Sequence, residues 1–280
     1  MNRLRGPVTS VDKVRLIEPE ELQSRLGEPN LLLIQVTSPE VYAQAHIAGA
    51  VLVTPGELVC GVPPASGRLP EHAALENLFS RIGYSSNSDV VVYDDEGGGW
   101  AGRFAWTLDV IGHRSWTYLN GGLHAWHGAG LPLETGNGKQ PAPVSVTVEI
   151  DSGPIAEIED VLATIEDPNQ TVWDVRSAEE YFGLRQAAAR VGHIPGAVNL
   201  DWERLKDPER HTRLRTDLGD VLAGLGLHND KVIITHCQTH HRSGLSYMVG
   251  RLLGLNIRAY HGSWSEWGNR QDTPIELAAP

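Results

Sequence analysis

Cysteine is scarce in this chain of 280 residues, where only Cys60 and Cys237 occur. A disulfide framework needs an even set of cysteines in an oxidising compartment, and two thiols without a leader-like N-terminus do not suggest one. No run of Cys and His has the regular spacing of a metal site, so no metal and no cofactor is expected. Long apolar stretches are missing too. The longest, Leu31 to Val36 and Val90 to Tyr93, are strand-sized, which excludes a membrane-spanning helix. Met1 to Pro7 carries charge with no apolar block behind it, so a secretory signal is not expected there and a cytoplasmic location is. Positive charge is in short supply, 23 Lys and Arg against 35 Asp and Glu, and a net charge of −12 argues against a nucleic-acid partner. One window reverses this balance: Lys231 to Ser265 holds no Asp or Glu, but does hold Lys231, Arg242, Arg251 and Arg258. A basic segment in an acidic protein suits a small anionic substrate.

What is present is a duplication. Leu33-Ile34-Gln35-Val36 aligns with Val172-Trp173-Asp174-Val175, and Ala45-His46-Ile47-Ala48-Gly49 with Gly192-His193-Ile194-Pro195-Gly196. Val90 to Asp95 aligns with Val232 to Cys237, and Gly121 to Trp126 echoes Gly262 to Trp267. The order is kept throughout, so the chain reads as two copies of one domain. The copies are expected at 16–131 and 155–275. Residues 132–154, rich in Pro, Gly and Thr, are expected to link them. Within the second copy, Thr171 to Val175 and Lys231 to Thr235 read as strands. Ser177 with Glu180 reads as a capping box, and Leu214 to Gly224 and Arg242 to Leu253 read as helices. Strands alternating with helices imply an α/β fold around a parallel sheet.

Cys237 falls between such a strand and the helix opening near Arg242, where α/β sheets place their reactive groups. A compact loop there turns backbone N–H groups inward, the helix N-terminus adds partial positive charge, and Arg242 adds a full one. Together they favour thiolate near neutrality. Gln238, Thr239, His240 and His241 complete the loop. His236, His240 and His241 are expected to serve its shape and field, not to act as bases. Cys60 has no charge or base beside it and reads as structural.

Asp174-Val175-Arg176 with Glu180-Tyr181, then Gly192 to Ala197, then the Cys237 loop, resemble the rhodanese family, in its tandem-domain form. The resemblance implies two similar domains, each a mainly parallel five-stranded sheet flanked by helices, with one active cysteine in the second copy. It implies sulfur transfer from a small anionic donor, thiosulfate, through a persulfide on Cys237 to cyanide or a thiol, a protein thiol included. Asp174, Arg176 and Glu180 are then a network bracing the loop. In the first copy Asp95 is expected at the Cys237 position, with Gln35, Thr37 and Val41 replacing Asp174, Arg176 and Glu180, so that copy is expected to be inactive. Trp100 to Arg103 resembles a family segment whose arginine reaches the substrate anion, and Arg103 is expected either there or in a surface salt bridge. His193 is expected to secure its turn.

Three other activities compete. Mercaptopyruvate-specific relatives carry a smaller, uncharged loop. Cysteine-dependent phosphatases place five residues between Cys and Arg, where this chain has four, too narrow a cradle for phosphate. A carrier or interaction module typically lacks the cysteine.

Overall fold

The computed structural model describes residues 14–138 and 140–277. The expectation for Met1 to Pro7 lies outside the described residues. The first copy runs β1 (Arg15–Ile17), α1 (Pro19–Arg25), β2 (Leu31–Val36), α2 (Pro39–Gln44), β3 (Val51–Val53), α3 (His72–Arg81), β4 (Asp89–Asp94), α4 (Gly99–Val110), β5 (Trp116–Leu119) and α5 (Gly122–Gly128). The second runs β6 (Ile155–Ala156), α6 (Ile158–Thr164), β7 (Gln170–Asp174), α7 (Ala178–Tyr181), β8 (Val198–Asn199), β9 (Lys206–Asp207) and β10 (Arg213–Leu214). It continues with α8 (Leu218–Gly224), β11 (Val232–His236), α9 (Arg242–Leu252), β12 (Ile257–Tyr260) and α10 (Ser263–Trp267).

The two five-stranded sheets have the same order, β1-β5-β4-β2-β3 and β6-β12-β11-β7-β8, and every pairing within them is parallel. Their central strands are apolar on both faces because helices cover both. Ser177 caps α7 reciprocally with Glu180, as the sequence predicts. The helix expected from Leu214 starts only at Leu218. Leu214 pairs with Lys206 in a two-residue antiparallel ribbon, and its N–H donates to Asn120 Oδ1 at 2.9 Å across the domain boundary.

The copies are fused, not strung like beads. One apolar cluster runs from Leu32, Val90 and Phe104 through Trp106 and Tyr118 to Trp173, Ile233 and Met248. Each copy also keeps a smaller cluster on its outer face. Helices α4 and α9 cross at Gly102 and Gly244, where a Cβ on Gly102 would sit 2.7 Å from Leu245 N and inside the Gly244 carbonyl. Among the described residues, 132–138 and 140–154 contain no regular helix or strand and lie along the first copy. Val144 N–H donates to Ser80 O at 3.1 Å, and Asp151 N–H to Val110 O at 2.7 Å. Among the described residues no helix is long and apolar enough to cross a membrane.

Candidate active site

The β11 strand ends at His236 and α9 begins at Arg242, so residues 237–241 form a short loop over the carboxyl edge of the sheet. Neighbours fix it on every side. Trp264 N–H donates to Cys237 O at 3.0 Å and Ser265 N–H to Gln238 O at 2.9 Å, while Gln238 Nε2 donates to Ala187 O at 2.8 Å. Gly67 of the first copy packs against the Thr239 carbonyl so closely that no side chain would fit there. Cys237 is 1% exposed, and the Ser243 hydroxyl stands 3.5 Å from its sulfur.

Burial alone pushes the Cys237 thiol up. The Arg242 charge, the Ser243 hydroxyl and N–H, and His241 outweigh it and leave the thiol below its ordinary value. Arg242 is itself held by a two-pronged pair with Glu180, at 2.6 and 2.9 Å. A parallel pair lies behind the loop, where Arg176 Nη2 donates to Asp174 Oδ2 at 2.5 Å and to Gly192 O at 2.9 Å, its guanidinium 4.2 Å from the centre of Trp264. His236 Nε2 lies 3.5 Å from Asp174 Oδ2, and its Nδ1 meets Cys237 O at 3.0 Å. The structure thus brings Asp174, Arg176, Glu180 and Arg242 into one array around the loop.

The histidines divide by environment. His241 stacks on Trp100 at 4.4 Å and its Nε2 contacts Glu96, so it ties the loop to the first copy. His240 is completely buried with a left-handed φ of 55°, edge-on to Trp106 at 4.6 Å, and its Nδ1 lies 2.8 Å from Ser243 Oγ. Burial, with Arg103, His261 and His241 nearby, drives its pKa well below the imidazole range, so the ring is neutral. His193 stacks on Tyr181 at 3.7 Å with Nδ1 on the Tyr181 carbonyl, securing its turn as expected, and His46 repeats this on Tyr42.

Strand pairing corrects one alignment. Asp174 pairs with His236, while Gln35, its counterpart, pairs with Tyr93; Ala259 pairs with Thr235, while Tyr118 pairs with Val92. Val91 and Ile234 both face the outer clusters, as they must if side chains alternate in phase. Asp94, not Asp95, therefore stands where Cys237 does. Its carboxylate fills the loop: Oδ1 accepts from the N–H groups of Glu96, Gly97 and Gly98 at 3.3, 3.0 and 2.8 Å, and Oδ2 from Ala101 at 3.0 Å. Burial and the Glu96 charge still raise Asp94 to about 6. In the second copy, among the described residues, the N–H groups of Gln238, Thr239, His240 and His241 reach no protein acceptor. The same cradle is closed by a carboxylate in one copy and open beside a thiol in the other.

The rhodanese-like domain profile matches residues 18–129 and again residues 157–270. The chain belongs to the rhodanese family. Thiosulfate sulfurtransferases of Pseudomonas aeruginosa and Azotobacter vinelandii are each 48% identical over 265 residues, covering 94% of this chain and 97% of theirs. A sulfur carrier protein of Thermus thermophilus is 30% identical over 274 residues, 93% of this chain and 95% of its own. Among solved structures, the anaerobic ergothioneine biosynthesis enzyme of Chlorobium limicola superposes with a TM-score of 0.83 at 22% identity, over 95% of this chain and 71% of its own, a likeness of fold.

Arg103 of the first rhodanese domain is not in a surface salt bridge. It is wholly buried, with Nη1 donating to Gly67 O at 2.7 Å and His240 O at 3.4 Å, and Nη2 to Leu58 O at 2.5 Å. Burial lowers it to about 9, which still leaves a cation near neutrality. Its guanidinium joins the roof segment 58–68 to the active loop, and Nε alone has no partner. Sequence reasoning assigned no role to Ser243. Its position six residues after the cysteine, in the first turn of a helix, was the available signal. A cavity of about 620 Å³ between Tyr84, Ile111 and residues 144–149 shares no residue with the Cys237 loop.

Proposed function

We propose that this chain is a thiosulfate sulfurtransferase working through a persulfide on Cys237. The reactive copy is 155–275, and the copy at 16–131, followed by the linker 132–154, is a scaffold. The carrying observation is the matched pair of loops. The N–H cradle that Asp94 neutralises in one copy stands open beside a thiol in the other, so it is built for negative charge on sulfur. The names of the relatives at 48% identity supply the donor.

In the first half-reaction the Cys237 thiolate attacks the outer sulfur of thiosulfate. The new S–S bond forms as the sulfur–sulfur bond of the donor breaks, and sulfite leaves with the electron pair. The cradle N–H groups hold the charge now on the outer persulfide sulfur, while Arg242 and the buried Arg103 raise the local positive potential. In the second half-reaction cyanide or a thiol, a protein thiol included, takes that sulfur and Cys237 leaves as thiolate. No proton need move when cyanide accepts, which agrees with neutral, buried imidazoles at His236 and His240. Glu180 already takes an N–H from each terminal nitrogen of Arg242, so fewer donors remain for a tetrahedral phosphate. Both cysteines are free thiols, in keeping with a cytoplasmic location.

Thiocyanate formation from thiosulfate and cyanide tests this reading. The wild-type protein is expected to turn over and Cys237→Ala to lose at least about 10³-fold. Turnover that survives the substitution would overturn it.

A further inference from the structure

Three side chains in the second copy make a chain of contacts that the first copy cannot make. His240 Nδ1 lies 2.8 Å from Ser243 Oγ, and that oxygen lies 3.5 Å from Cys237 Sγ. All three residues are buried. In the first copy Asp94 stands at the Cys237 position, Gly97 and Gly98 take the left-handed stretch of the loop, and the helix opens Gly99-Trp100-Ala101 with no hydroxyl. The imidazole, the hydroxyl and the thiol are absent together.

The hydroxyl has one proton and two neighbours that could claim it. If Nδ1 of His240 carried no hydrogen, the Ser243 proton would turn to that lone pair and leave an oxygen lone pair facing the sulfur. With hydrogen on Nδ1, the imidazole donates to Ser243 Oγ, and the only direction left for the hydroxyl proton is Cys237 Sγ. His240 can hold that state steadily. Arg103 from α4, His261 after β12 and neighbouring His241 surround it and no carboxylate contacts it, so the ring is neutral; Nε2 is buried without a partner, so the single hydrogen is satisfied only on Nδ1, against Ser243 Oγ. The backbone is bent to place it: His240 holds a left-handed φ of 55°, uncommon for any residue but glycine, in a loop where the first copy has Gly97 and Gly98 at positive φ.

We infer that His240 and Ser243 form a hydrogen-bond relay that points the Ser243 hydroxyl at the Cys237 sulfur, making Ser243 a catalytic residue and His240 a positioning residue. No proton transfers along the relay. It stabilises the thiolate wherever that species occurs, as the resting nucleophile and as the group expelled when the persulfide is discharged. The inference rests on Cys237 being the sulfur-carrying residue. Its first readout, the ionisation of the unloaded thiol, does not require sulfur transfer.

The test is the pH dependence of alkylation of Cys237 by iodoacetamide, in a Cys60→Ser background, followed by the thiocyanate assay. Ser243→Ala should raise the alkylation midpoint by about one pH unit and lower kcat about tenfold. His240→Gly, which relieves the backbone strain but removes the donor, should move the midpoint the same way. His240→Asn tolerates the left-handed backbone and offers an amide N–H near the Nδ1 position, so it should restore the wild-type midpoint. Unchanged midpoints in Ser243→Ala and His240→Gly would overturn the relay, as would an Asn variant no better than Gly. Should the midpoints move as expected while the wild-type protein makes no thiocyanate, the relay stands and the sulfurtransferase reading falls.

Discussion

At Cys237 two opposing influences meet, burial that favours the thiol and a local field that favours the thiolate, and the field prevails. That field is kept in place by carboxylates which are themselves acidic. Burial pushes Asp174 and Glu180 up, but Arg176 with His236, and Arg242, outweigh it, so both carboxyls lie below their ordinary range. Between the folded and unfolded values the unfolded chain binds more protons. The stability they contribute is therefore complete above the unfolded values, near pH 4, and is lost as pH falls further. Denaturant midpoints are expected to drop between about pH 5 and about pH 3. Glu180→Gln should flatten that drop while costing about 1 kcal/mol at neutral pH, because the outer edge of the pair is screened by water. An identical pH profile in the variant would contradict the assignment. The two acid–base pairs were legible in the sequence as a charged cluster. Which partner each arginine takes was not, because Glu180 and Arg242 are 62 residues apart and meet only through the fold.

Helices α4 and α9 decide the distance between the roof and the loop. Their crossing leaves no room for a β-carbon: one added to Gly244 would lie 2.5 Å from Gly99 O and 2.9 Å from Arg103 Cα, and backbone cannot swing aside as a side chain can. Gly244→Ala is expected to destabilise by about 2–3 kcal/mol through overpacking. It should also lower kcat/KM, since α9 carries Arg242 and Ser243 and α4 carries Arg103. Thermal denaturation and steady-state kinetics check this, and a variant as stable and active as wild type would show that the helices do not meet there. Sequence patterns gave the existence and near-correct bounds of α9, whose apolar periodicity is long. They did not locate the crossing, because a lone glycine in a helix looks the same whether or not another backbone lies against it. The slip from Asp94 to Asp95 has a related cause. Val90 to Val92 and Val232 to Ile234 are β-branched runs that slide past each other by one residue without any change in character. Strand pairing, Gln35 with Tyr93 and Asp174 with His236, fixes the phase.

Across the whole molecule, duplication explains both the fold and the single site. The repeat was visible in four ordered motifs, and with it the α/β class and the strand end on which Cys237 stands. The common core was not visible, since apolar residues facing a sister domain are patterned like those facing a domain's own interior. The first copy is more than a neighbour of the Cys237 loop. It supplies Gly67 under Thr239, Arg103 between the roof and His240, and Glu96 against His241, so the site is a joint construction of two halves. If Cys237 carries a single transferable sulfur, the intact mass of the protein after incubation with thiosulfate registers it. The expected result is a gain of one sulfur atom, located on the peptide containing Cys237 and lost on adding cyanide. No gain, or a gain that persists in Cys237→Ser, would contradict it.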